Sequence, residues 1–140
     1  MIDNVSDIIS VLLNFAYGAV LAPVLTAITT FAVYGLPTRF LPVAAPWKVI
    51  LPAIIEEALW RDLPKVLIID GISSLSGKIG VVFVLSVVFT IGHRYARPRA
   101  FFELWLFSIF LYISCIYYPG MNYGLHICRN IFSIDSEPIE

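Results

Sequence analysis

The stretch Ile54-Ile55-Glu56-Glu57-Ala58-Leu59-Trp60-Arg61 sets two adjacent carboxylates and an arginine inside an otherwise apolar run. Ionisable groups in hydrocarbon are costly, so they face a partner or a polar cavity. Two later stretches carry groups able to answer them: Phe89-Thr90-Ile91-Gly92-His93 and His126-Ile127-Cys128-Arg129-Asn130. In each, the outer residues are four apart, which puts them on one face of a helix. A glutamate, two histidines and an asparagine around one space are open to two kinds of chemistry. A partly desolvated carboxylate such as Glu56 is suited to take a proton from water. His93 can orient that water or help deprotonate it, and His126 and Asn130 can donate to a developing oxyanion. Glu56, His93 and His126 would equally suit zinc, although no HExxH arrangement occurs. Spacing alone leaves both chemistries open.

Each residue also has a plainer reading. Glu57 and Arg61 are four apart in the favourable acid-first order, and a structural ion pair is the preferred expectation for them. Glu56 points about 100° away from Glu57 around a helix, so it cannot share that pairing equally; its plain reading is a carboxylate paired with a histidine or reaching towards water. A lone histidine in an apolar helix is more often a hydrogen-bonded core residue than a catalyst. Two such histidines and a glutamate pair make one shared site more economical than three unrelated ones.

The elements that must hold these residues are set by composition. The chain has 140 residues, 59% of them hydrophobic and 14% charged, with a mean hydropathy of +0.88. Average soluble chains carry about 25% charged residues, so the expectation is an integral membrane protein forming one domain over residues 1–140. A net charge of −1 and the lack of a basic tract give no reason to expect a nucleic-acid partner. Cys115 and Cys128 lack CxxC spacing and read as small hydrophobes rather than a disulfide framework or zinc ribbon. Asp3 and Asp7 precede the first apolar run where a signal peptide would have a basic region, so that run reads as a retained helix.

From Ile8 to Leu36 no charge occurs, more than the roughly 20 apolar residues a spanning helix needs; Gly18 and Pro23 are expected to bend it. Pro37, Pro42 and Pro46 mark a loop carrying Arg39 and ending at Trp47 and Lys48, with Trp47 at an interfacial position. A second helix starts near Lys48 or Pro52, carries the acidic motif, and is expected to kink or break just after Arg61, because of Pro64. Asp70-Gly71 and the following serines make a turn. A third helix runs from Ile79 to His93 and ends in the cluster Arg94, Arg97, Pro98 and Arg99. A fourth runs from Phe101 to Tyr118, and Pro119-Gly120 separates it from a short fifth over Met121 to Ile134. An acidic tail follows, with Asp135, Glu137 and Glu140. The expected fold class is therefore all-α: a polytopic transmembrane bundle of four to five helices with a polar intramembrane cavity. Basic residues favour the cytoplasmic side, which puts the Arg39/Lys48 and Arg94–Arg99 loops inside and the N-terminus outside. On that topology His126 enters from the side opposite Glu57 and His93. Convergence then requires the Tyr118-Pro119-Gly120 link to dip into the bundle, or the helices to tilt strongly.

The ordered set EExxxR (Glu56, Glu57, Arg61), FxxxH (Phe89, His93) and HxxxN (His126, Asn130) resembles the CAAX prenyl endopeptidase and bacteriocin-processing family of intramembrane proteases, which includes abortive-infection-like members. The likeness covers a core of about residues 48–134. It implies hydrolysis of a peptide bond within or at the membrane, in a peptide or lipidated protein. It further implies that Glu56 and His93 activate the water and that His126 and Asn130 form the oxyanion pocket, with Glu57, Arg61 and Phe89 in support. The glutamate-based mechanism, preferred here, requires no cofactor; a metalloprotease would place zinc on Glu56, His93 and His126. Family members are usually longer, with more helices before the first motif, so a second copy or a partner subunit is a candidate for the missing walls. The expected setting is membrane lipid, in the cytoplasmic membrane of a prokaryote. Two other classes stay open: a catalytically idle membrane module that serves immunity or partner binding, and a small carrier with Glu56, His93 and His126 strung along an ion path.

Overall fold

Asn4 starts the first helix by accepting a hydrogen bond from Asp7 N–H on its side-chain oxygen, an N-cap that satisfies one of the free donors of the first turn. The computed structural model describes residues 4–35, 39–93 and 98–135, with strand residues 39–42 and 133–135 described by their backbone. Asp3, Pro37, Arg94, Arg97, Glu137 and Glu140, which entered the topology and tail readings, lie outside the described residues. Helix α1 spans Val5–Tyr34 and closes on Gly35 in the left-handed region (φ 68°). A short strand β1 (Arg39–Pro42) leads to α2 (Trp47–Glu57), a π-helical turn (Ala58–Asp62), α3 (Leu63–Leu67) and a 3-10 turn (Ile69–Gly71). Then come α4 (Leu75–Gly92), α5 (Pro98–Tyr117), α6 (Met121–Ile131) and β2 (Phe132–Asp135).

The protein is a helical bundle, with a two-stranded antiparallel ribbon of β1 and β2 beside it. Helix α4 begins at Leu75 rather than the expected Ile79 because Ser74 caps it, its hydroxyl accepting from Gly77 N–H. The last helix stops at Ile131, short of the expected Ile134. There the Ile131 carbonyl accepts from Val43 N–H at 2.8 Å, and the chain leaves the helix to pair with β1.

The helix, expected to kink or break just after Arg61 because of Pro64, does not break there; it passes through a π turn. From α2 through the π turn to α3 the chain runs on as one helical rod. Proline has no N–H for the carbonyl four residues back, here Trp60, and that carbonyl accepts instead from the Tyr112 hydroxyl of α5. Leu63 N–H reaches back to Ala58, five residues, so the wider π turn takes up the mismatch.

Polarity is inverted relative to a water-soluble bundle. The interior holds Glu57, Arg61, Ser86, Thr90, Glu103, Ser108, Asn122 and His126, while large apolar side chains such as Leu12, Val20, Phe31, Val84 and Ile91 are exposed. Among the described residues, α1, α4 and α5 are long and apolar enough to cross a membrane. With no water outside, the apolar surface faces lipid, and close packing and interior polar contacts hold the helices together. Small residues permit that packing between α1 and α6. A Cβ on Gly124 would lie 2.0 Å from the Phe15 carbonyl oxygen, and one on Gly18 would lie 2.2 Å from that of Met121. Gly18, expected to help bend α1, is a point of close helix contact. The α5–α6 link packs against α1, with Tyr117 and Tyr118 left exposed. Gly120 (φ 94°) sits against the Val11 carbonyl, and Asn14 Nδ2 donates to the Pro119 carbonyl at 3.1 Å. Further along α1, Thr29 meets Glu103 of α5 at 3.3 Å, and Arg129 of α6 binds both Glu103 oxygens at 2.7 and 2.6 Å.

Gly124→Val should separate α1 from α6 and cost about 2 kcal/mol or more, whereas Gly71→Ala, with nothing within 4 Å of its new methyl, should stay within about 0.5 kcal/mol. Denaturation of both variants in mixed micelles checks this.

Candidate active site

Glu57 and Arg61 are both 0% exposed, so each depends wholly on protein partners. The Glu57 carboxylate accepts from His126 Nδ1–H at 2.6 Å on Oε1 and from Asn122 Nδ2 at 2.7 Å on Oε2. Arg61 Nη1 stands 3.8 Å from Oε1. The ion pair expected between Glu57 and Arg61 therefore exists but is not the main contact. With the π turn between them, Arg61 instead donates to Ser108 Oγ at 3.0 Å and lies over the Phe89 ring, 3.9 Å from its centroid, with the Tyr112 ring at 5.0 Å.

Glu56, one residue earlier, faces a different environment. It is 35% exposed at its side chain, and its Oε2 lies 3.5 Å from His126 Nε2 and 3.7 Å from His93 Nε2. His93 caps the end of α4; its Nδ1–H donates to the Phe89 carbonyl at 2.8 Å, and its ring packs against that of Phe89, 4.2 Å between centroids. The two backbone-facing or buried nitrogens are thus occupied, and both Nε2 atoms turn towards Glu56. Glu56, His93, His126 and Asn130 all line one cleft of about 350 Å³, together with Phe89, Phe107, Arg129 and Phe132. The four residues singled out by their types and spacing come together around a single space. They are not strung out along a path.

Neutral His126, with Nδ1–H given to Glu57, presents an acceptor at Nε2; it donates there only as the imidazolium, whose charge Glu57 and Glu56 would balance. Zinc chemistry asks for three donors around one point. Among the described residues no group of three or more His, Cys, Asp or Glu side chains is arranged to hold a metal ion. Cys115 and Cys128 are free thiols; Cys115 donates to Asp62 at 3.3 Å, and Asp62 also accepts from the Tyr123 hydroxyl.

Sequence reasoning missed Asn122. Its signal was present: Asn122, His126 and Asn130 recur every fourth residue along α6, the first turned inward to Glu57 and the last towards the cleft. The Glu103–Arg129 pair had no such signal, because its partners sit on different helices. Arg129 also stacks over Phe107 at 4.2 Å and forms part of the cleft wall.

No family matches the chain in comparison with known protein families, and no curated protein or solved structure matches it significantly.

Removing one partner from a buried ionic cluster leaves the others uncompensated, at about 3–5 kcal/mol. Glu57→Ala is therefore expected to cost about 3 kcal/mol or more, and Glu56→Gln, at a half-buried position, less than about 1 kcal/mol. Chemical denaturation in mixed micelles separates the two neighbours; equal losses would contradict this division.

Proposed function

We propose that this chain is an intramembrane endopeptidase that hydrolyses a peptide bond in a membrane peptide or a lipidated protein, using Glu56 as the base. The observation that carries the reading is the meeting of Glu56, His93, His126 and Asn130 at one cleft inside a bundle whose exterior is apolar. The ordered motifs shared with the CAAX prenyl endopeptidase and bacteriocin-processing family support it. On this reading the setting is the cytoplasmic membrane of a prokaryote.

In the proposed reaction a water is held in the cleft at Glu56 Oε2, beside the His93 imidazole, whose Nε2 stands 3.7 Å from that oxygen. Glu56 takes the water's proton as the water oxygen adds to the scissile carbonyl carbon. Negative charge moves to the carbonyl oxygen, where Asn130 and the imidazolium form of His126 donate hydrogen bonds. Collapse breaks the C–N bond, and the proton held by Glu56 passes to the leaving nitrogen. The products are a carboxyl and an amine terminus, with Glu56 restored as a carboxylate. Glu57 works one step back, holding the imidazole of His126 in orientation. All steps use side chains of this chain alone.

Glu56→Gln, which keeps the shape and removes the base, should lower the rate by about 10²–10⁴-fold, so uncut membrane precursors accumulate in cells at unchanged protein level. Asn130→Ala should lower the rate by about 10²-fold through the lost donor. Cleavage by purified protein should survive extensive chelation. Loss on chelation with recovery on adding zinc would replace the glutamate mechanism with a metal-based one.

A further inference from the structure

The β1–β2 ribbon borders the cleft: Phe132, the first residue of β2, and Val43, directly after β1, both line it. Its register decides which backbone groups are already used. Arg39 faces Asp135, Phe40 faces Ile134, Leu41 faces Ser133, and Pro42 faces Phe132. In an antiparallel ladder, opposed pairs alternate between those that exchange hydrogen bonds and those whose N–H and C=O point away from the partner. Val43 N–H donates to the Ile131 carbonyl, so 43/131 is a bonded pair and, counting by two, 41/133 and 39/135 are as well. Phe40, Pro42, Phe132 and Ile134 therefore direct their main-chain groups to the outer edges. The two edges are unlike. On β1, one of the outward positions is Pro42, which has no N–H to offer. On β2, Phe132 and Ile134 both offer an N–H and a C=O. Among the described residues the sheet has two strands only.

Hydrolysis needs an exposed, extended bond, whereas a helical substrate has its carbonyls bonded internally. Unwinding it at membrane depth frees donors and acceptors that hydrocarbon cannot satisfy. We propose that the outer edge of β2 binds the unwound substrate as a third strand, with Phe132 and Ile134 supplying the main-chain partners that the substrate helix gave up. This rests on the endopeptidase reading and adds how its substrate is held. Helix α6 leads from Phe132 past Asn130 to His126, six residues (132 − 126), or about 9 Å at 1.5 Å each. That distance is about three residues of strand. A segment paired at Phe132 thus brings to Glu56 and His126 the bond about three residues further on. The substrate class is a membrane peptide whose paired segment is free of proline.

The test follows membrane peptides by mass spectrometry in cells expressing full-length variants, with Glu56→Gln as reference. Ile134→Pro removes an outward N–H of β2 and spares the ribbon's own bonds; Phe40→Pro does the same on β1. Ile134→Pro is expected to accumulate the precursors seen with Glu56→Gln, at least tenfold above wild type, and Phe40→Pro is not. Accumulation with Glu56→Gln but not with Ile134→Pro overturns the strand pairing and leaves the protease standing. Equal accumulation in both proline variants also overturns it, since ribbon integrity rather than one edge would then be at work. No precursor with Glu56→Gln removes the protease reading and this one with it. A readout independent of proline tolerance is a photo-crosslinking residue at position 134 or 40 in the Glu56→Gln protein. Adducts with the precursors at 134 and not at 40 are expected, and adducts at neither, or equally at both, overturn the proposal.

Discussion

The Glu57 carboxylate, with none of its surface exposed, is the constraint on which the other features depend. A buried charge is tolerated only where hydrogen bonds and opposite charge replace its hydration. Here the replacements come from α6, through His126 and Asn122, and from Arg61 across the π turn. Meeting that demand fixes the distance between the two helices and the rotation of α6. It also explains the close α1–α6 contact at Gly18 and Gly124, because α6 has to lie deep enough for His126 to reach Glu57. The link at Gly120, folded in against Val11, is the covalent consequence.

Two adjacent carboxylates thereby take different roles. The rotation of about 100° between successive helical residues sends Glu57 into the dry interior and leaves Glu56 at the cleft. The dry one has its oxygens engaged and serves to orient; the other keeps an oxygen turned to both imidazoles. In the proposed hydrolysis this division separates the group that holds His126 from the group that takes the proton. The same rod needs both roles within two residues, and the π turn that follows lets it pass Pro64 while keeping Arg61 inside, bonded to Ser108.

Much of this was legible because polar residues in an apolar chain stand out. The bundle and its long helices followed from charge-free runs; that Glu56, His93, His126 and Asn130 share one space was expected from the economy of one polar site over three and from the resemblance, not from spacing. The features that were not legible depend on tertiary contact. Pro64 reads as a helix breaker until Tyr112 supplies a donor to the orphaned Trp60 carbonyl. Glu57 and Arg61 read as a pair until His126 and Asn122 come closer to the carboxylate. Residues 132–134 read as the end of the last helix because Phe-Ser-Ile is too short to mark a strand alone, and pairing with β1 makes them one. Gly18 looked like a flexible point and is a contact point, since a helix neighbour cannot be read from one helix alone.

The central claim is that Glu56 drives addition of water to a peptide bond at this cleft. The most direct measurement reconstitutes wild-type and Glu56→Gln protein in liposomes with a library of membrane peptides in ¹⁸O-water, and reads new termini by mass spectrometry. New C-terminal carboxylates carrying ¹⁸O are expected with the wild type and are lost with Glu56→Gln. Identical peptide sets from the two proteins, both folded, would contradict the claim.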